Sequence, residues 1–223
     1  MEMRSIREGN NTMKLEEIAG SYDAIYSLGR NCLPALQLQK NGLRTFSGVI
    51  DWMVSDSLSD VNRLLRKRFA GFMDFGDLEF VTYDVPYPAN LYVKDKKYNI
   101  VSAHDFPVHI NTTSHLASYE DVKATYLRRI ERFFHKLENS KHILFVRTLA
   151  SYEEAAELEK ILKKMVKHDF KILVVNPGEV PYLLDLNWPL EKACAGIAPA
   201  IHLDYGNSDY LWNFLLRNVK LMP

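Results

Sequence analysis

Between residues 142 and 175 the chain places one capped amphipathic segment between two short apolar runs, and few folds accommodate that order. His142-Ile143-Leu144-Phe145-Val146 and Phe170 to Val175 are apolar on nearly every successive residue. A strand of that kind has both faces covered, as in a parallel sheet with helices on each side. Between them Ser151-Tyr152-Glu153-Glu154 forms a capping box, with Ser at the N-cap and Glu three residues on. Ala155, Leu158, Leu162 and Met165 then follow at helical spacing. Strand, capped helix and strand make a βαβ unit, whose crossover is almost always right-handed.

The same grammar extends outward. Ser118-Tyr119-Glu120-Asp121 opens a helix whose apolar face runs through Val122, Tyr126, Ile130, Phe133 and Leu137. Tyr22–Leu28 fits a first strand and Ala200–Leu203 a late one. Asp209–Asn218 fits a closing helix through Leu211, Phe214 and Leu215. Ser57–Phe69 reads as a helix with Leu58, Val61 and Leu65 on one face. Leu91–Val93 and Tyr98–Val101 flank a charged turn and predict a hairpin. The remainder of 43–99 mixes aromatics, Gly and Pro without a clean period. The expected fold is α/β: a mostly parallel Rossmann-like sheet with helices on both faces and an irregular α+β insertion around 43–99. Residues 1–20 are expected to form a polar tail and residues 21–223 a single α/β domain.

Composition bounds the function classes. Lys+Arg and Asp+Glu both number 28, so the net charge is zero and bulk electrostatics gives no reason to expect nucleic acid or an anionic membrane as partner. No apolar run approaches the length of a membrane span, and the first 20 residues lack an apolar leader core. The two cysteines, Cys32 and Cys194, are too few for a disulfide framework and predict free thiols in a reducing compartment, the cytoplasm. No nucleotide-binding glycine signature is present, and no cofactor is expected. The oligomeric state is left open.

Ligands of open parallel sheets bind at the carboxyl ends of the strands. The residues expected on that rim are Gly29, Arg30, Asn31 and Cys32 after the first strand, and His104 and Asp105 after the hairpin. Arg147, Asn176, and Asp204 with Tyr205 follow the later strands. Cys32 stands out because it ends a Gly-polar turn where Leu33-Pro34-Ala35-Leu36 begins a helical pattern. The N–H groups and dipole of a helix N-terminus favour a thiolate. His104 is the leading base for such a nucleophile, with Asp105 or Asp51 as the carboxylate that orients it. Adjacent side chains of an extended segment point to opposite faces, which counts against Asp105. His104, His109 and His115 match no metal-ligand spacing well, and no metal is expected. Arg147 fits either a structural partner or an anion clamp.

The strings Tyr22 to Cys32, Phe46 to Trp52, His104-Asp105-Phe106 and Phe145-Val146-Arg147 carry the motifs S-L-G-x-x-C, D-W and H-D-F. Together they resemble a bacterial family of unknown function labelled "putative papain-like cysteine peptidase", over about residues 20 to 215. The resemblance implies a cysteine nucleophile at Cys32, a base at His104, a third member at Asp105 or Asp51, and help from Asn31 in holding an oxyanion. Gly29, Arg30, Trp52, Arg147 and Asn176 are then expected to face a small-molecule, peptide or acyl substrate. The alternative is a non-hydrolytic Rossmann-like binding or accessory protein, in which Arg147, His104 and Asn176 clamp an anionic ligand.

Overall fold

The computed structural model describes residues 12–84 and 89–223. In chain order the first half contains β1 (Gly20–Tyr22), β2 (Ala24–Ser27), α1 (Leu33–Lys40), β3 (Met53–Val54), α2 (Leu58–Arg66), β4 (Leu78–Tyr83), β5 (Asn90–Asp95) and β6 (Ile100–Pro107). The second half contains α3 (Tyr119–Asn139), β7 (His142–Thr148), α4 (Tyr152–Met165), β8 (Asp169–Gly178), β9 (Leu184–Asp185), β10 (Ala193–Pro199), α5 (Asp209–Leu216) and β11 (Val219–Leu221).

The main sheet has the order β2-β7-β8-β10-β9, parallel except for β9. Alternation along its strands divides the core into two. Tyr26, Ile143, Phe145, Phe170, Ile172 and Val174 face α2, α3 and α4. Ile25, Leu144, Val146, Leu173 and Val175 face α1 and α5. Both faces are therefore covered by helices, which is why the strand sequences are apolar on successive residues. The capping box of α4 forms as its sequence predicts: Ser151 Oγ accepts from Glu154 N and Ser151 N donates to Glu154 Oε2. Such a cap contributes about 1 kcal/mol. The parallel strands follow sequence order across the sheet, with no reversal. The sheet thus lacks the switch point that places ligands in doubly wound, Rossmann-type folds.

The stretch expected as an irregular α+β insertion carries α2 and an antiparallel sheet of order β3-β6-β5-β4, which extends to Pro107. Register shifts between Phe80 and Thr82 and between Leu91 and Val93 break the period of two, so the sequence shows no clean alternation. The hairpin of β5 and β6 is present, and β6 is longer than its apolar run. His104 and Asp105 therefore lie inside an antiparallel strand and not beyond the end of a parallel one.

Three further expectations are corrected. Ala200–Leu203 is a 3-10 turn, and the late strand lies earlier, at Ala193–Pro199. Its Ala, Cys and Gly residues have weak strand propensity, but the strand pairs with β8 along its whole length. A Cβ at Gly196 would come within 2.8 Å of Leu183 Cδ1, so a larger residue there would displace the Leu183 side chain. The closing helix buries Leu211, Trp212, Leu215 and Leu216, while Phe214 is half exposed. Of the segment read as a polar tail, residues 1–11 lie outside the described residues. Met13 and Ile18 are buried, Leu15–Ile18 forms a 3-10 turn, and β1 pairs with β11. Among the described residues no helix is long and apolar enough to cross a membrane.

Candidate functional site

The turn after β2 is built by two consecutive residues in the left-handed region, Gly29 at φ +77 and Arg30 at φ +21. It is pinned from three sides. Leu28 N donates to Val146 O, Thr148 N to Gly29 O, and Ser55 N to Arg30 O. A Cβ at Gly29 would lie 3.3 Å from Ser55 Oγ and 3.6 Å from Arg147 Nη1, so Gly29 serves close backbone packing and the turn itself. Cys32 then occupies the N-cap of α1, with Pro34 in the first turn. Asn31 Oδ1 accepts from Leu33 N at 3.0 Å, meeting one of the donors that a helix start leaves open.

His104 reaches this turn from the second sheet. Its Nε2 lies 3.2 Å from Cys32 Sγ. Cys32 is 6% exposed, whereas His104 is exposed. Pairing of β3 with β6 sets Met53 opposite Ser102 and brings Trp52 beside His104. The two rings meet edge to face, with centroids 6.0 Å apart and planes at 90°.

Neither proposed carboxylate touches the imidazole. Asp105 is engaged elsewhere, accepting from Ser102 Oγ and Tyr126 Oη, both at 2.5 Å. Asp51 is buried and accepts from Arg44 Nε and Gly48 N, both at 2.7 Å. Arg147 is fully buried. It donates to the carbonyls of Leu28, Ser55 and Leu149 and to Ser55 Oγ, tying β7 to the Cys32 turn. Burial holds its pKa down at about 10. The Asn176 amide is paired with both the N–H and the carbonyl of Ala150. The expected substrate-facing group thus divides: Trp52 and Arg30 stand at the Cys32 turn, and Arg147 and Asn176 are engaged with backbone.

The thiol itself is not pre-ionised by its helix. Burial pushes the Cys32 pKa up, and the Asp51 and Asp105 carboxylates act in the same direction. Donation from the Tyr205 hydroxyl and from the Cys32 main-chain N–H opposes them. Burial raises the nearby Tyr205 phenol to about 12. Tyr92 belongs to this polar group as well, its phenol raised by burial and by the nearby Cys32. Cys194 is wholly buried, with a thiol pushed up to about 12. Tyr205 was legible only as one of several polar residues near the rim, and neither Tyr92 nor Arg44 carried a sequence signal.

The protein family described as "Putative papain-like cysteine peptidase (DUF1796)" matches residues 23–179. The chain belongs to this family. The matched span of the "putative papain-like cysteine peptidase" family includes Cys32, Trp52 and His104, and Tyr205 lies beyond it. An uncharacterized protein of Acanthamoeba polyphaga mimivirus is similar to the chain at 28% identity over 180 residues, covering 71% of this chain and 80% of the viral protein. No solved structure matches the chain.

Proposed function

We propose that the protein is a cysteine-dependent hydrolase or acyl-transfer enzyme, with Cys32 as nucleophile and His104 as general base. The observation that carries this reading is the 3.2 Å approach of Cys32 Sγ to His104 Nε2, within the reach such a pair needs. Because burial raises the thiol pKa, few free thiolates form at neutral pH, and the proton passes to Nε2 as the sulfur attacks. The sulfur bonds to the carbonyl carbon and the carbonyl oxygen becomes an oxyanion. Main-chain N–H groups of the Cys32 turn and the Asn31 amide are the candidate donors to that oxygen. The His104 imidazolium then protonates the leaving group, giving a thioester. Water, deprotonated by His104, releases the acid and restores the thiol; an acceptor amine or alcohol in its place gives acyl transfer.

The anion-clamp alternative has less support. Arg147 spends its donors on buried acceptors, and Asn176 is occupied by Ala150.

The test is acyl-enzyme trapping with a panel of peptide and thioester substrates, read by intact mass. Wild type is expected to form an adduct on Cys32. Cys32→Ala is expected to form none, and His104→Ala to form it far more slowly. An adduct rate unchanged in His104→Ala would overturn the assignment of the base.

A further inference from the structure

A histidine base is normally oriented by a third group, and here both nearby carboxylates are committed elsewhere. Asp105 is held by Ser102 and Tyr126, and Asp51 by Arg44 and Gly48. What does contact the imidazole is Trp52. An edge-to-face pair restrains the rotation of both rings, since turning either one gives up the favourable quadrupole alignment.

Trp52 is in turn braced. The Arg44 guanidinium lies over its ring, with Cζ 5.0 Å from the centroid. Arg44 cannot drift from that position easily. Its Nε donates to Asp51 Oδ2 and its Nη2 to Ser47 Oγ, both at 2.7 Å. The Arg44 side chain is 11% exposed and that of Asp51 1%, so the pair is shielded from water. Two directional bonds to different acceptors fix the plane of the guanidinium, and a desolvated cation over an indole face is held more firmly than an exposed one. Gly48 completes the seat: a Cβ there would come within 2.7 Å of Asp51 Oδ1.

We propose that Arg44, anchored by Asp51, is a positioning residue that sets the His104 imidazole through Trp52, in place of a directly bonded carboxylate. The proposal rests on the Cys32–His104 reading above. Asp51 then has a role close to the one its sequence position suggested, but exerted through two intervening side chains.

The experiment is the iodoacetamide alkylation rate of Cys32 across pH, with thermal melting to report folding, in wild type, Arg44→Ala, Arg44→Lys, Trp52→Ala, Trp52→Phe and His104→Ala. At neutral pH the thiolate depends on His104, whereas at high pH it forms without help. Arg44→Ala and Trp52→Ala are expected to lower the neutral-pH rate by about 10- to 100-fold, the scale on which misplaced groups act. Their high-pH rates are expected to stay close to wild type, and Trp52→Phe, which keeps an aromatic edge, to recover most of the loss. A purely structural role would lower the melting temperature and leave the ratio of neutral to alkaline rates alone. That ratio, unchanged in a folded Arg44→Ala protein, overturns the proposal. Arg44→Lys keeps a cation for Asp51 but loses the planar stack, so it carries the same test if the alanine form does not fold. If His104→Ala itself leaves the wild-type profile unchanged, the underlying Cys32–His104 reading fails instead.

Discussion

Cys32 Sγ and His104 Nε2 stand 3.2 Å apart although 72 residues separate them in sequence. One lies at the helix start after an edge strand of the parallel sheet, the other inside a strand of the antiparallel sheet. The contact therefore exists only because β3, which pairs with the strand of His104, leads into a segment bonded to the Cys32 turn, Ser55 N donating to Arg30 O.

The first consequence concerns the two thiols. Cys32 is expected to alkylate with iodoacetamide at neutral pH far faster than Cys194, which is wholly buried and raised to about 12. Peptide mapping after a short exposure checks this. Equal, slow labelling of both residues contradicts a role for His104 in activating Cys32.

Tyr205 adds a pH prediction. Its donation to the sulfur stabilises the thiolate and so lowers the Cys32 pKa. In Tyr205→Phe that donor is gone and the thiol pKa rises further. The alkylation-rate profile is then expected to move toward higher pH, with slower labelling near neutrality and an unaltered alkaline plateau.

Asp105→Asn separates a structural carboxylate from one that orients the base. The change weakens the bonds from Ser102 and Tyr126, and stability is expected to fall by about 1–3 kcal/mol in urea unfolding. It also removes a negative charge that raises the Cys32 pKa. Alkylation at neutral pH should therefore hold or quicken, and a large drop in a folded variant would restore Asp105 to the mechanism.

Arg147→Met tests whether that residue binds ligand or holds the fold. It leaves the carbonyls of Leu28, Ser55 and Leu149 without their donor. A loss of about 3 kcal/mol or more is expected from those orphaned buried acceptors. Gly29→Ala, at φ +77, should cost about 1–2 kcal/mol from backbone strain in the same turn. Chemical denaturation measures both, and an Arg147→Met protein of wild-type stability would reopen the anion-clamp reading.

The local features of this fold were legible because they repeat with short periods. The α4 capping box, the apolar runs of β7 and β8, the face of α3 and the turn leading to Cys32 are each written within a few residues. The late strand was missed because Ala193–Pro199 carries small side chains, and its identity comes from pairing with β8. The second sheet is not legible as strands beyond its hairpin because its register shifts interrupt the alternation that marks a strand.

By itself, then, the sequence determined a parallel α/β core and a cysteine poised at a helix start, since backbone propensity and side-chain period act locally. It also named His104 as a base, Asp51 as one of two carboxylates that could orient it, and Trp52 as a residue facing the substrate. Only the tertiary structure decided that His104 meets Cys32, that Arg147 and Asn176 turn inward, and that Asp51 holds Arg44 over Trp52. Those relationships join residues from separate elements. Their distances are set by how two sheets and their helices pack, a constraint that no local pattern of residues contains.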